Sequence, residues 1–243
     1  MYTVYTALFG DYDDLNEISS NVINSNIRYV CFTDNKDLTS ETWEIVHDFS
    51  DIPPDLLNRW YKFHPHLLFK ESKATLYLDS NIKIFTDPYE IFEYFETIEQ
   101  DMLMPLHPER NCIYQESEVC YVHGKIDRES KDYLINRFIS EGYPRNNGLF
   151  EMSIIFSKHT ESFKKCMEQW WYFFCNIARR DQLSFCFCAW LTETKLQGLD
   201  FHMQSVNKYF FRLPHKHESR LIKNKVILKE ILLRVAIKLR VIR

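Results

Sequence analysis

An apolar run from Ala74 to Leu78 ends abruptly in Asp79-Ser80-Asn81. A buried strand that stops in such a turn delivers a carboxylate and an amide oxygen to a sheet edge. Hard divalent cations bind through oxygens of this kind, and a cation held there can carry a diphosphate. An Asx turn that only closes a strand uses the same residues. Two more polar clusters follow apolar stretches in the same way: Asp11-Tyr12-Asp13 after Tyr2 to Phe9, and Asp34-Asn35 after Arg28 to Thr33. Arg59 and Lys62 lie three apart, on one face of a predicted helix. They can meet phosphate there, Arg as a fork and Lys as a point charge, or form an ordinary solvated face. Asp181-Gln182 opens a later predicted helix, where the acid is either a cap or a group near a reacting centre. His215 and His217 stand two apart in extended chain, so their side chains point to opposite faces.

The elements that must position these residues alternate. Strands are predicted over 2–9, 28–33, 42–46, 74–78, 101–106 and 149–156. Helices are predicted over 53–69 with a break at Pro65, from Asp87-Pro88 onward, and over 127–141, 160–177 and 181–193. Asp87 is expected to cap its helix, with Pro88 at the first position. Residues 107–126 read as an irregular polar loop suited to an acceptor, and Asn147-Gly148 as a turn. Alternation of this kind predicts an α/β layered domain with a mainly parallel central sheet flanked by helices. Ligands of such sheets bind beyond the carboxyl ends of the strands. If the three strands are parallel neighbours, the clusters at 11–13, 34–35 and 79–81 converge on one crevice. The run Trp170-Trp171-Tyr172-Phe173-Phe174 goes all round a helix and reads as core rather than as a sugar platform.

Composition excludes several classes. With 243 residues, 45% hydrophobic and 16% aromatic, the chain can bury a large core. Five glycines, no G-x-G-x-x-G and no Walker A pattern argue against a glycine-rich phosphate loop. Seven cysteines without a C-x-x-C pair read as buried reduced thiols. Met1-Tyr2-Thr3-Val4-Tyr5 enters a strand pattern without a basic leader, and no apolar run approaches the roughly 20 residues of a membrane span. A cytoplasmic protein is expected, peripheral at the inner face of a membrane. Net charge is −4, yet residues 221–243 hold seven Lys/Arg against Glu230, a local +6 that leaves −10 on the rest. An acidic body does not suit nucleic acid. In the tail, Leu228, Ile231, Leu232, Val235, Leu239 and Ile242 form one apolar stripe. This predicts a basic amphipathic helix, lying either on an anionic membrane surface or on the acidic body. Domains are therefore expected at 1–219 and 220–243.

The ordered set Tyr5 to Asp13, Cys31 to Asn35, Arg59 through Lys62 to Pro65-His66, Tyr77 to Ile82, and Arg180 to Gln182 resembles glycosyltransferases of the GT-A fold. More narrowly, it is similar to the glycosyltransferase-like family also found in plant mucilage-related proteins. The resemblance covers roughly residues 2–215. It implies transfer of a sugar from a nucleotide donor, a UDP-sugar in the first instance, to a glycan or lipid-linked acceptor in surface polysaccharide synthesis. It implies Mn²⁺ or Mg²⁺ held by Asp79 and Asn81 with a late histidine, for which His215 is preferred over His217. An imidazole among oxygen ligands favours Mn²⁺. The donor would be held by Thr6, Asp11, Tyr12, Asp34, Arg59, Lys62 and Ser80, and Asp181 with Gln182 would serve catalysis. The motif is Asp-Ser-Asn where the wider fold has Asp-x-Asp, which keeps open a non-catalytic nucleotide-sugar or glycan-binding relative. A nucleotidyltransferase would open with a basic glycine-rich loop, whereas Gly10-Asp11-Tyr12-Asp13 is acidic.

Overall fold

A computed structural model describes residues 1–201 and 207–238. In chain order the strands are β1 (Tyr2–Leu8), β2 (Ile27–Thr33), β3 (Glu44–His47), β4 (Thr75–Leu78), β5 (Ile82–Ile84), β6 (Met102–Pro105), β7 (Ile154–Ser157), β8 (Leu196–Leu199) and β9 (Phe210–Arg212). The helices are α1 (Pro54–Phe63), α2 (Pro65–Leu68), α3 (Tyr89–Thr97), α4 (Ile113–Val122), α5 (Arg128–Ser140), α6 (Glu161–Asn176), α7 (Asp181–Leu191) and α8 (Arg220–Lys238). Contacts divide the chain into Met1–Ile98 with Met203–Arg243, and Glu99–His202. The expected division at 219 follows composition; by contact, α8 falls in the first unit.

In the first unit the strand order β3-β2-β1-β4 is parallel throughout. All seven residues of β1 are buried. That is the near-continuous apolar pattern of a parallel strand covered on both faces. α1 starts at Pro54, where a proline has no donor to lose, and stops before Pro65, which clashes with a preceding helical turn. Its Tyr61 stacks on Phe32 at 4.1 Å between ring centroids. α3 begins one residue later than expected, with Pro88 at the cap and Asp87 accepting from the Tyr89 amide at 3.0 Å. A second, antiparallel pair joins β5 to β9, two strands the hydrophobic pattern does not reveal.

α8 presents two different faces. Glu230 pairs with Lys83 of β5 at 3.0 Å, and Leu233 is buried. Leu221, Leu228, Ile231, Leu232 and Val235 are exposed on the other side. Leu239 and Ile242 of the expected stripe, with Arg240 and Arg243, lie outside the described residues.

In the second unit β6 pairs antiparallel with β7 and parallel with β8. α5 is capped by Asp127, whose Oδ1 accepts from the Ser130 amide at 2.7 Å, and α6 by Thr160. Trp170, Phe173 and Phe174 are buried as expected, while Tyr172 is exposed. The expectation of an irregular loop over 107–126 is corrected: α4 occupies its centre. The helix hides in the sequence because its buried positions include Glu116 and Ser117. Glu116 is held by the Arg110 guanidinium at 2.6 Å, which lets a carboxylate take a core position and blurs the apolar period.

Candidate functional site

β2, β1 and β4 are parallel neighbours, so the polar clusters that follow them meet, as the sequence pattern required. At the end of β1 the chain turns at Gly10, whose φ of +65° glycine adopts without strain. Its amide donates to both carboxylate oxygens of Asp34 at 3.0 Å. Asp13 is buried and accepts from Ser80 Oγ at 2.9 Å and from the Lys216 amide at 3.1 Å. Its oxygens lie 3.0 and 3.2 Å from His215 Nδ1. One carboxylate thus ties the β1 turn, the β4 turn and the chain after β9. Asn81 completes the tie: its Nδ2 donates to the Leu213 carbonyl at 2.9 Å, and the Leu213 amide donates back to the Asn81 carbonyl at 2.8 Å. A cavity of about 270 Å³ opens here, lined by Asp13, Asn16, Asn81, His215, Lys216 and Ile227.

The donor chemistry suits a divalent cation in part. A carboxylate facing Nδ1 fixes a histidine as the tautomer with a proton on Nδ1 and a lone pair on Nε2. His215 Nε2 lies 3.5 Å from Asn81 Nδ2, so the two residues are neighbours, with the donor end of the Asn81 amide rather than its oxygen turned to the imidazole. His217 is separated from them and faces the Asp11 carbonyl at 3.1 Å. Among the described residues no group of three His, Cys, Asp or Glu side chains is gathered around a metal position. Asp79 turns instead toward the Tyr77 hydroxyl, which donates to it at 3.0 Å, and toward Lys62 Nζ at 3.7 Å. Of the three expected ligands, Asn81 and His215 are neighbours, while Asp79 is engaged by Tyr77 and Lys62.

The expected donor residues fall into distinct settings. Lys62 is 1% exposed, which removes the solvated-face reading, and sits 5.1 Å over the Tyr77 ring. Burial, with the Asp79 charge beside it, pushes the Tyr77 phenol well above its ordinary pKa, so it remains a neutral donor. Arg59 Nη1 donates to Asn58 Oδ1 at 2.7 Å. Thr6 is buried and its Oγ1 has no hydrogen-bond partner among the described residues. Tyr12 is 58% exposed, its ring 5.0 Å from that of His215. Asp11 is exposed and pairs with Lys216, whose ammonium lowers the carboxyl pKa. The expected donor set names Asp11 and leaves Asp13 out; only the fold shows that Asp13 is the acid turned inward.

In the second unit Asp181 is the first residue of α7, and Arg180 occupies the cap position. The cap reading of Asp181 therefore does not hold. Its backbone carbonyl accepts from Trp170 Nε1 at 2.8 Å, and Gln182 Nε2 donates to the Phe150 carbonyl at 3.2 Å. α7 ends with Glu193 at φ +55°, its amide donating to the Trp190 carbonyl and the Thr194 amide to that of Ala189. This is a Schellman ending, at whose left-handed position glycine is the usual residue. A glutamate there costs about 1 kcal/mol. All seven cysteines are free, and burial pushes the Cys166 and Cys186 thiols up to about 12, in keeping with reduced thiols.

Among solved structures the chain is similar to the X-ray structure of the mannosyltransferase Ktr4p from S. cerevisiae, at TM-score 0.43 and 10% identity over 77% of this chain and 65% of that one. It thus spans about two thirds of the yeast protein's length. It is also similar to apo mouse xyloside xylosyltransferase 1, at TM-score 0.46 and 10% identity, over 82% of this chain and 85% of that one. No curated protein sequence matches. The model of the TOD1/MUCI70 glycosyltransferase-like domain matches residues 56–215. That span runs from the helix carrying Arg59 and Lys62, through the Asp79-Ser80-Asn81 turn, to His215. Covering more than half of the sequence, it makes this chain a member of the TOD1/MUCI70 family of glycosyltransferase-like domains.

Proposed function

We propose that the chain transfers a sugar from a nucleotide donor, UDP-linked in the first instance, to a glycan or lipid-linked acceptor. The observation that carries the reading is the tie of Asp13, Ser80, Asn81 and His215 at the ends of β1 and β4, beside a cavity. Asp79, Asn81 and His215 would hold Mn²⁺ or Mg²⁺, which neutralises charge building on the departing diphosphate. Asp13 orients the imidazole. Tyr12 offers an exposed ring for the base, Thr6 an unfilled hydrogen bond, and Asp34 a carboxylate at the strand end for the ribose. Arg59 and Lys62 add positive charge behind Asp79. Asp181 takes the acceptor's proton in an inverting reaction, or steadies the reacting sugar in a retaining one, with Gln182 beside it.

The test is a calorimetric titration with UDP, with and without Mn²⁺. Binding is expected to require Mn²⁺ and to weaken about 10–100-fold in Asp13→Ala, the usual cost of losing a carboxylate behind a ligating histidine. Binding indifferent to both would overturn the metal role. No binding at all would move the reading to another nucleotide or to a non-catalytic relative.

The outer face of α8 favours an acceptor carried at a membrane. Its apolar stripe is flanked by Lys225 and Lys229, and the charge of residues 221–243 complements anionic lipid. No helix among the described residues is long and apolar enough to cross a bilayer. The protein is expected to sediment with phosphatidylserine vesicles at low salt, and Leu228→Glu with Leu232→Glu to abolish this. Unchanged sedimentation would remove the membrane contact.

A further inference from the structure

The second unit holds a cavity of about 570 Å³ that the donor chemistry does not use. Phe150, Cys186 and Ala189, all buried, form its apolar part, and Trp190, Glu193 and Asn147 also line it. The Trp190 indole is 38% exposed and held from behind, edge-on to Tyr143 at 5.5 Å and roughly parallel to Phe187 at 6.2 Å. Glu193 stands at the left-handed end of α7, where backbone geometry favours glycine. A side chain kept at such a position, against the local preference, points to a role for its carboxylate.

We infer that this cavity binds a pyranose ring of a glycan, stacked on Trp190 with hydroxyls donating to Glu193 and hydrogen-bonding Asn147. The chemistry selects this class of ligand. The C–H bonds on one face of a pyranose carry partial positive charge, which an indole's negative π face attracts. A carboxylate accepts two hydrogen bonds and so suits a vicinal diol. A carboxylate on the rim disfavours a phosphate, and the polar pair disfavours a wholly apolar ligand. The volume lies in the range of ligand sites. Gln182 of α7's opening turn donates to the carbonyl of Phe150, whose residue also lines the cavity, while Trp190 and Glu193 stand at the other end of the same helix. That the bound glycan is the acceptor rests on the transfer reading; that a glycan binds does not.

The test is saturation-transfer difference NMR on the full chain with cellobiose, xylobiose, α-1,2-mannobiose and N,N′-diacetylchitobiose. At least one is expected to show transfer to its ring C–H protons. Trp190→Ala should cut that signal about fivefold or more, and Trp190→Phe should retain most of it. Glu193→Gly is the decisive variant. It relieves the backbone, so the melting temperature should hold or rise, while the sugar signal falls about fivefold or more. A purely structural Glu193 would leave the signal intact. The inference is overturned if no disaccharide shows transfer, or if Trp190→Ala and Glu193→Gly both keep the wild-type signal. UDP titration of the same samples reports the donor reading separately. Sugar transfer without UDP binding leaves the glycan site standing, and UDP binding without sugar transfer overturns the glycan site alone.

Discussion

Asp79→Asn is expected to lower Mn²⁺-dependent hydrolysis or transfer from UDP-sugars by about 100-fold or more. The substitution keeps the shape of the side chain and an oxygen able to accept from the Tyr77 hydroxyl. It removes the only formal charge among the three side chains proposed to hold the cation. The same charge faces Lys62, 3.7 Å away and buried. Breaking a buried ion pair costs about 3–5 kcal/mol, but the Asp79 side chain is 35% exposed and solvent screens part of the loss. A fall in unfolding free energy of about 1–2 kcal/mol is therefore expected beside the loss of turnover. Urea unfolding separates the two effects. A variant that turns over at the wild-type rate would remove Asp79 from the metal and from the chemistry.

Trp170→Ala is expected to cost about 3–5 kcal/mol of stability. The indole is fully buried, edge-on to Phe185 of α7 at 4.7 Å between centroids. Its N–H donates to the Asp181 carbonyl, so the truncation opens a cavity and also removes a hydrogen bond between α6 and the first turn of α7. Trp170→Phe should cost less, since a ring still fills much of the space. Tyr172→Ala, two residues on and 53% exposed, should change stability by no more than about 0.5 kcal/mol. Comparable losses at 170 and 172 would mean that α6 does not pack as described.

The chain's own pattern was enough for its parallel strands and for the convergence of their ends. β1, β2 and β4 are apolar runs closed by acids and amides, and a strand covered on both faces writes its burial into consecutive residues. The helices expected from 127 and 160, and the stop before Pro65, are equally local, because helix starts and stops satisfy or remove backbone hydrogen bonds within a turn. What escaped depends on partners distant in sequence. β5 and β9 are three residues each, too short to show a period, and exist because Ile82–Ile84 meets Phe210–Arg212. α4 carries a buried glutamate that only Arg110 makes tolerable. Lys62 is open between a phosphate contact and a solvated face until the fold buries it beside Asp79, and Asp13 is passed over for Asp11 until His215 is seen against it. The amphipathic tail was legible as a wheel, yet which arc would dock was not, since Lys83 chooses Glu230 through space. Local energetics fix elements and their ends. The ionisation, burial and pairing of the polar residues that do chemistry are set by neighbours up to two hundred positions away in the chain, and only the tertiary structure supplies those.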